Sequence, residues 1–241
     1  MFDGFFAALS FLTRLGPPRI VPADVFPRTL SWFPLVGLVV GALAVLPCAL
    51  GLFGEYPQLQ GWVIVGASLW LTRGLHADGL ADIADAWGSG AAGERFWAIL
   101  KDSRAGPFGV LGLVMGLGGQ VLAFGLLAGQ GRLGAACWCF ALGRLAGLAA
   151  LAVCRERARP GLSALFAPGA TRGALALAAC VTAVAGLVLD SPFGMLKGAL
   201  AAAVAVWLLA RLSAKKNGFN GDFMGAAIVL GELAGALGAL A

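Results

Sequence analysis

The sequence predicts an all-α fold, a polytopic membrane bundle of about seven transmembrane helices with an amphipathic helix at the cytoplasmic face. Two observations carry that expectation. Of 241 residues 60% are apolar and only 12% are charged, against roughly a quarter in soluble domains, and the mean hydropathy is +0.89. The 17 Lys/Arg and 12 Asp/Glu also gather in short clusters between long uncharged runs, which is the pattern of a membrane chain rather than a disordered one. A net charge of +5 is then loop charge that sets orientation, not a nucleic-acid footprint. Residues 1–241 read as one integral membrane domain.

Asp3 stands where a secretory signal would carry its basic region, so the start is read as mature chain rather than as a cleaved signal. Residues 1–30 form a cytoplasmic or interfacial segment, with Phe2 to Leu15 apolar but too short to span before Pro17 and Pro18. A bilayer core needs about 20 apolar helical residues. Seven runs qualify: Ser31 to Phe53, Gln58 to Thr72, Gly106 to Gly129, Leu133 to Cys154, Gly173 to Pro192, Gly198 to Ala214, and Asp222 to Ala241. The sixth is marginal, because 13 uncharged residues separate Lys197 from Arg211 and both must snorkel to the interfaces. Five cysteines without a C-x-x-C, each in an apolar run, imply no disulfide framework, and a single histidine excludes a structural zinc site.

Alternating the sides of these spans places 14 of the 17 Lys/Arg on one side and only Arg132 and Lys197 on the other, with Arg144 inside a span. By the positive-inside rule the N-terminus and the longer loops are cytoplasmic and the C-terminus is outside, as for a protein of a bacterial inner membrane.

Residues 73–105 read as a cytoplasmic, Asp-rich catalytic loop. Within it Asp78, Asp82 and Asp85 recur at i, i+4 and i+7, which puts three carboxylates on one helical face while Leu80, Ile83 and Ala84 turn toward the membrane interface. Clustered carboxylates need a cation, and an all-oxygen set beside a polar substrate suits Mg²⁺. Lys101 and Arg104, with Arg95, add the phosphate-binding cations of phosphoryl transfer. His76 reads equally as a hydrogen-bonded interfacial histidine or as a catalytic base, and Ser103 as a helix cap or a phosphate contact. Arg155, Arg157, Lys215 and Lys216 read as orientation charge. Asp222, after a Gly-x-x-Gly turn on the same side as Asp78, either caps the last helix or reaches the same pocket. Arg144 and Glu232 each lie ten residues, about 15 Å, below the cytoplasmic surface, and unpaired charges at that depth are costly, so the two are expected to form a structural ion pair.

Assembled, these residues resemble the cobalamin synthase family, the adenosylcobinamide-GDP ribazoletransferases, along the whole chain. The likeness rests on Ser10-Phe-Leu-Thr13-Arg14-Leu15, on Phe33-Pro34-Leu-Val-Gly37 with Gly41, and on His76-x-Asp78-Gly79-Leu80-Ala81-Asp82-x-x-Asp85. It continues with Lys101-Asp102-Ser103-Arg104-x-Gly106-x-x-Gly109, Arg144, Ala158-Arg159-Pro160, Gly221-Asp222-x-x-Gly225-Ala226 and Gly231-Glu232-Leu233. Departures are Gly16 in place of a usual proline, Arg73 in place of glycine, Ala86 where Asp-Gly is usual, and Asn220 in place of threonine. None removes a carboxylate.

The resemblance implies the last assembly step of a corrinoid. The ribose 3′-hydroxyl of α-ribazole, or of its 5′-phosphate, attacks the cobinamide-linked phosphorus of adenosylcobinamide-GDP and expels GMP, with Mg²⁺. It assigns Asp78, Asp82 and Asp85 to the metal, one of His76 or Asp102 to the proton of the hydroxyl, Lys101, Arg104 and Arg14 to the diphosphate, and Ser103, Arg159 and Asp222 to substrate binding. Partners are then these small molecules and membrane lipid, with no nucleic acid and a homo-oligomer left open. Two rivals stand beside it. A CDP-alcohol phosphotransferase also carries Asp-Gly at a membrane face, but its further Ala-Arg and Asp-x-x-x-Asp pattern is absent here. A transporter would place acids at mid-membrane and repeat a half of the chain.

Overall fold

A computed structural model describes residues 2–16, 22–102 and 104–241. Its helices, in chain order, are α1 (Phe2–Leu12), α2 (Phe26–Thr29), α3 (Phe33–Ala49), α4 (Pro57–Thr72), α5 (Leu75–Gly88), α6 (Glu94–Ile99), α7 (Pro107–Gly129), α8 (Leu133–Cys154), α9 (Leu162–Phe166), α10 (Arg172–Leu189), α11 (Pro192–Lys216) and α12 (Gly221–Leu240). No strand occurs among the described residues, only a single parallel bridge between Ala158 and Phe219. Arg19 and Ser103 lie outside the described residues.

Among the described residues six helical stretches are long and apolar enough to cross a membrane: Phe26–Ala49, α7, Leu133–Arg157, α10, α11 and α12. The marginal span is not the one the sequence suggested. α11 runs unbroken for 25 residues, about 37 Å at 1.5 Å per residue, because neither Lys197 nor Arg211 interrupts it and Arg211 folds its guanidinium over the Trp207 ring at 5.2 Å. α4 is the short one, with 16 residues or about 24 Å. It stops where Arg73 and Gly74 both adopt left-handed conformations, φ 58° and 69°, and the chain reverses into α5.

The two ends of the bundle are marked by different contacts. At one end α1 docks through an edge-to-face cluster in which Phe166 meets Phe11, Phe26 and Phe33, with ring centroids 5.1–5.8 Å apart. The segment joining α8 to α9 and the one joining α11 to α12 are stitched together at this same end by the amides of Arg159 and Phe219. At the far end Arg132 bonds both to Asp190, at the close of α10, and to the Ala239 carbonyl in the last turn of α12. α1 and the last turn of α12 therefore lie at opposite ends of the bundle. α3, α4, α7, α8, α10, α11 and α12 run alternately between them.

α8 and α12 form the interior. α3 reaches α8 through Gly37 and Gly41, where a Cβ would come within 2.4 and 2.5 Å of the Phe140 and Cys137 carbonyls, the close approach that small residues allow between membrane helices. Across the other face of α8, Arg144 donates to Glu232 of α12, and Gln120 of α7 donates to the second oxygen of the same carboxylate at 3.0 Å. Arg144 and Glu232 are both buried, so the pair stands in for the solvation that water would provide.

Breaking a buried pair costs roughly 3–5 kcal/mol because it strands a charge. Arg144→Met and Glu232→Met should each lower the thermal midpoint of the detergent-solubilised protein, and the double variant should be no worse than either. Additive losses would show that the two side chains stabilise the fold independently.

Candidate functional site

The acid-rich segment is not a loop draped on the membrane surface but a helix wedged between two others. On α5, Leu80 is buried against Gly116, nine residues inside α7, and Ala84 meets Gly112, while Asp85 meets Gly106 and Gly109 at the mouth of α7. The face read as turning to the interface thus packs on protein as well. On the other flank α5 crosses the first turn of α12 so closely that a Cβ on Gly79 would lie 2.9 Å from the Asp222 Cα and carbonyl oxygen. Only glycine permits that crossing, and the crossing brings Asp222 to the acidic face of α5. α6 holds the corner from above, with Phe96 and Trp97 against Phe223 at 6.3 and 6.2 Å.

The carboxylates separate into two functions. Asp78 is exposed and Asp82 is half-buried, and Asp222 lies beside them on α12. Burial first, then repulsion from Asp222, Asp78 and Asp85, pushes the Asp82 carboxyl up to about 7. Asp85 is different. Its two oxygens accept the amides of Gly106 at 2.6 Å and Gly109 at 2.8 Å, so it caps α7 from another helix, and a Cβ at either glycine would collide with the carboxylate. The negative charge sits where the α7 dipole favours it. Among the described residues no group of three His, Cys, Asp or Glu forms a ready chelating set. The donors nevertheless suit a hard divalent ion, which is commonly held by one or two carboxylates with substrate phosphates completing its shell, and mutual repulsion among Asp78, Asp82 and Asp222 is what such an ion would relieve.

His76 is buried beneath the first turns of α12, its backbone against Gly225, and its Nε2 has no hydrogen-bond partner. Burial, reinforced by Arg144, holds its pKa well below the usual range, so the ring is neutral at pH 7. Asp102 takes a bidentate pair and a backbone amide from exposed Arg104, which draws its pKa down to about 2. Lys101 and Arg104 lie in the connection leading to Gly106, and therefore next to the Asp85 cap. Arg159 stacks on Trp97 at 4.2 Å, places its Nη2 3.9 Å from Glu94 Oε2, and is tied by its amide to Phe219, three residues before Asp222. Arg14 is drawn elsewhere, its Nε on the Trp70 carbonyl at 2.6 Å and its amide on that of Leu71 at the end of α4.

Sequence reasoning overlooked Gln120, the only polar side chain in the run from Gly106 to Gly129, which was signal enough to mark it. It also overlooked that Gly106 and Gly109 act through their amides on Asp85, which no spacing within α5 could reveal.

Two outcomes are expected. Asp85→Asn should lower stability by roughly 2 kcal/mol, the worth of hydrogen bonds to a charged group, whereas exposed Asp78→Asn should leave the melting temperature unchanged. For Asp82, a folded-state pKa above the unfolded value means that the folded protein binds the proton more tightly. Without divalent cation the thermal midpoint should therefore rise as pH falls from 8 through 7, and this slope should vanish in Asp82→Asn.

The family model described as Cobalamin-5-phosphate synthase matches residues 4–240. The chain is 45% identical over 221 residues to a protein of Nitratidesulfovibrio vulgaris named adenosylcobinamide-GDP ribazoletransferase, covering 92% of this chain and 90% of that one. Proteins of the same name from Pseudomonas aeruginosa and Syntrophobacter fumaroxidans are 37% and 35% identical, each alignment covering 94% of this chain and 93% of the relative. No solved structure matches the chain.

Proposed function

The chain belongs to the Cobalamin-5-phosphate synthase family, and from that premise we propose that it joins adenosylcobinamide-GDP to α-ribazole, or to α-ribazole 5′-phosphate, with release of GMP. The observation that carries the reading is the convergence of Asp78 and Asp82 with Asp222, acids from two helices held together by the Gly79 crossing.

Phosphoryl transfer asks a protein for positioning and charge neutralisation more than for covalent chemistry. Asp78, Asp82 and Asp222 would hold Mg²⁺, which supplies neutralisation of the diphosphate and of the departing GMP. Asp85 serves by capping α7, which fixes the connection carrying Lys101 and Arg104. Those two cations and Arg159 bind the diphosphate from one side, whereas Arg14 is held on the end of α4 and is left out of that set. The attacking hydroxyl gives its proton to one of His76 and Asp102, neither of which is a strong base here: burial lowers the pKa of His76 and Arg104 lowers that of Asp102. Asp102 is a poor acceptor because Arg104 already saturates its carboxylate, whereas the neutral His76 ring has an unpaired nitrogen.

The site lies at the end of the bundle that holds α1 and most of the Lys/Arg, so it faces the cytoplasm of a cell whose inner membrane the bundle crosses, with the N-terminus on that same side. Polar, phosphorylated substrates reach it from water. A reporter active only in the cytoplasm should be silent when fused after Ala241, and a signal from it would reverse the orientation.

Purified protein given adenosylcobinamide-GDP, α-ribazole and Mg²⁺ should release GMP, and release without α-ribazole would sink the transfer reading. His76→Gln should lower kcat by about a hundredfold or more, the usual worth of a positioned base. Asp102→Asn should keep most of the activity, and the reverse order would exchange the two assignments.

A further inference from the structure

The face of α5 that turns away from the acids borders a second feature. Between α5 and α11 a lateral groove of about 800 Å³ opens along the side of the bundle. Its depth is apolar, walled by Leu80 and Ile83 on one side and by Ala201, Val204 and Ala205 on the other. Its upper end is basic: Arg211, Lys215 and Lys216 line it, and no acid does among the described residues. Lys216 is committed to the fold, donating to the Ala91 carbonyl at 2.6 Å and facing the Phe96 ring, whereas Arg211 only lays its guanidinium over Trp207, so Arg211 and Lys215 supply the charge at the rim. Arg211 lies five residues below the end of α11, about 7.5 Å at 1.5 Å per residue, the depth at which polar headgroups meet acyl chains. Trp87 of α5 lines the same end with 68% of its surface exposed, as tryptophans do in that zone.

We propose that this groove is a binding site for an anionic phospholipid, one acyl chain lying between α5 and α11 and the phosphate held by Arg211 and Lys215. The charge pattern selects the ligand. A zwitterionic lipid would fill the apolar depth equally well but would bring its own cation to a rim already carrying two, whereas an anionic headgroup meets only opposite charge. A bound chain would cover the face of α5 beside its contact with α7, where Leu80 and Ala84 meet Gly116 and Gly112, so the lipid would brace the helix that carries Asp78 and Asp82. The inference does not depend on the reaction assigned above.

The test reads lipid directly. The protein is reconstituted in nanodiscs containing phosphatidylglycerol or phosphatidylcholine with brominated acyl chains, and the quenching of Trp87 is taken as the difference between the wild type and Trp87→Phe. Brominated phosphatidylglycerol should quench Trp87 at lower mole fraction than brominated phosphatidylcholine, by about fivefold in apparent affinity for each rim cation. The exposed double variant Arg211→Gln/Lys215→Gln should erase that preference, and Ala205→Phe, which fills the groove, should weaken quenching by both lipids. Inorganic phosphate should not displace the lipid. Equal quenching by the two lipids, a preference that survives the double variant, displacement by phosphate alone, or a dimer in native mass spectra whose groove excludes both lipids would each overturn the proposal.

Discussion

Arg144 and Glu232 carry full charges where the surrounding apolar helices offer no water, and satisfying them decides how α8 and α12 meet. Gln120 extends the requirement to α7, so one carboxylate collects donors from two other helices. With α12 held against α7 and α8, its first turn has a set position, and α5 can only enter between α7 and α12. Gly79 at the α12 crossing and the Gly106/Gly109 notch under Asp85 are where that entry is tightest. The placement of the acids therefore depends on a buried ion pair outside their cluster.

The same arrangement sorts acids that look equivalent along the helix. Asp78, Asp82 and Asp85 share one face, but the neighbours differ: Asp85 is satisfied by two amides at the start of α7, while Asp82 meets other carboxylates. A satisfied carboxylate fixes structure, and a frustrated one is relieved by a cation or by a proton. Asp222 stands between the two kinds: Asn220 donates to one of its oxygens at 2.6 Å, while glycine at position 79 lets the α12 backbone bring it close to the acids of α5. The cations proposed to bind phosphate follow the same logic, since Lys101 and Arg104 precede the amide that Asp85 captures and Arg159 precedes, through Phe219, the turn that delivers Asp222.

Much of this was legible in the sequence because the membrane makes charge rare. In so apolar a chain Arg144 and Glu232 stand out, and counting residues from the loops puts them at one depth. The i, i+4, i+7 spacing marks the acidic face of α5 for the same reason. What escaped depends on geometry that periodicity does not encode. The left-handed pair at Arg73 and Gly74, which shortens α4 and inserts α5 among the helices, follows from how the chain must reverse rather than from hydropathy. The length of α11 was obscured because Lys197 and Arg211 look like boundaries, although long basic side chains can extend along a helix without ending it. The docking of Asp85 on α7 needed knowledge of a neighbour 21 residues away.

The central claim is that acids of α5 and α12 act as one site. A double-mutant cycle on GMP release at limiting Mg²⁺, using Asp82→Asn, Asp222→Asn and the pair, addresses it most directly. If both carboxylates hold the same ion, either substitution removes most of the benefit and the double variant is little worse than the more damaging single one. Losses that multiply independently would mean that Asp222 only begins its helix and that the acidic face of α5 works alone.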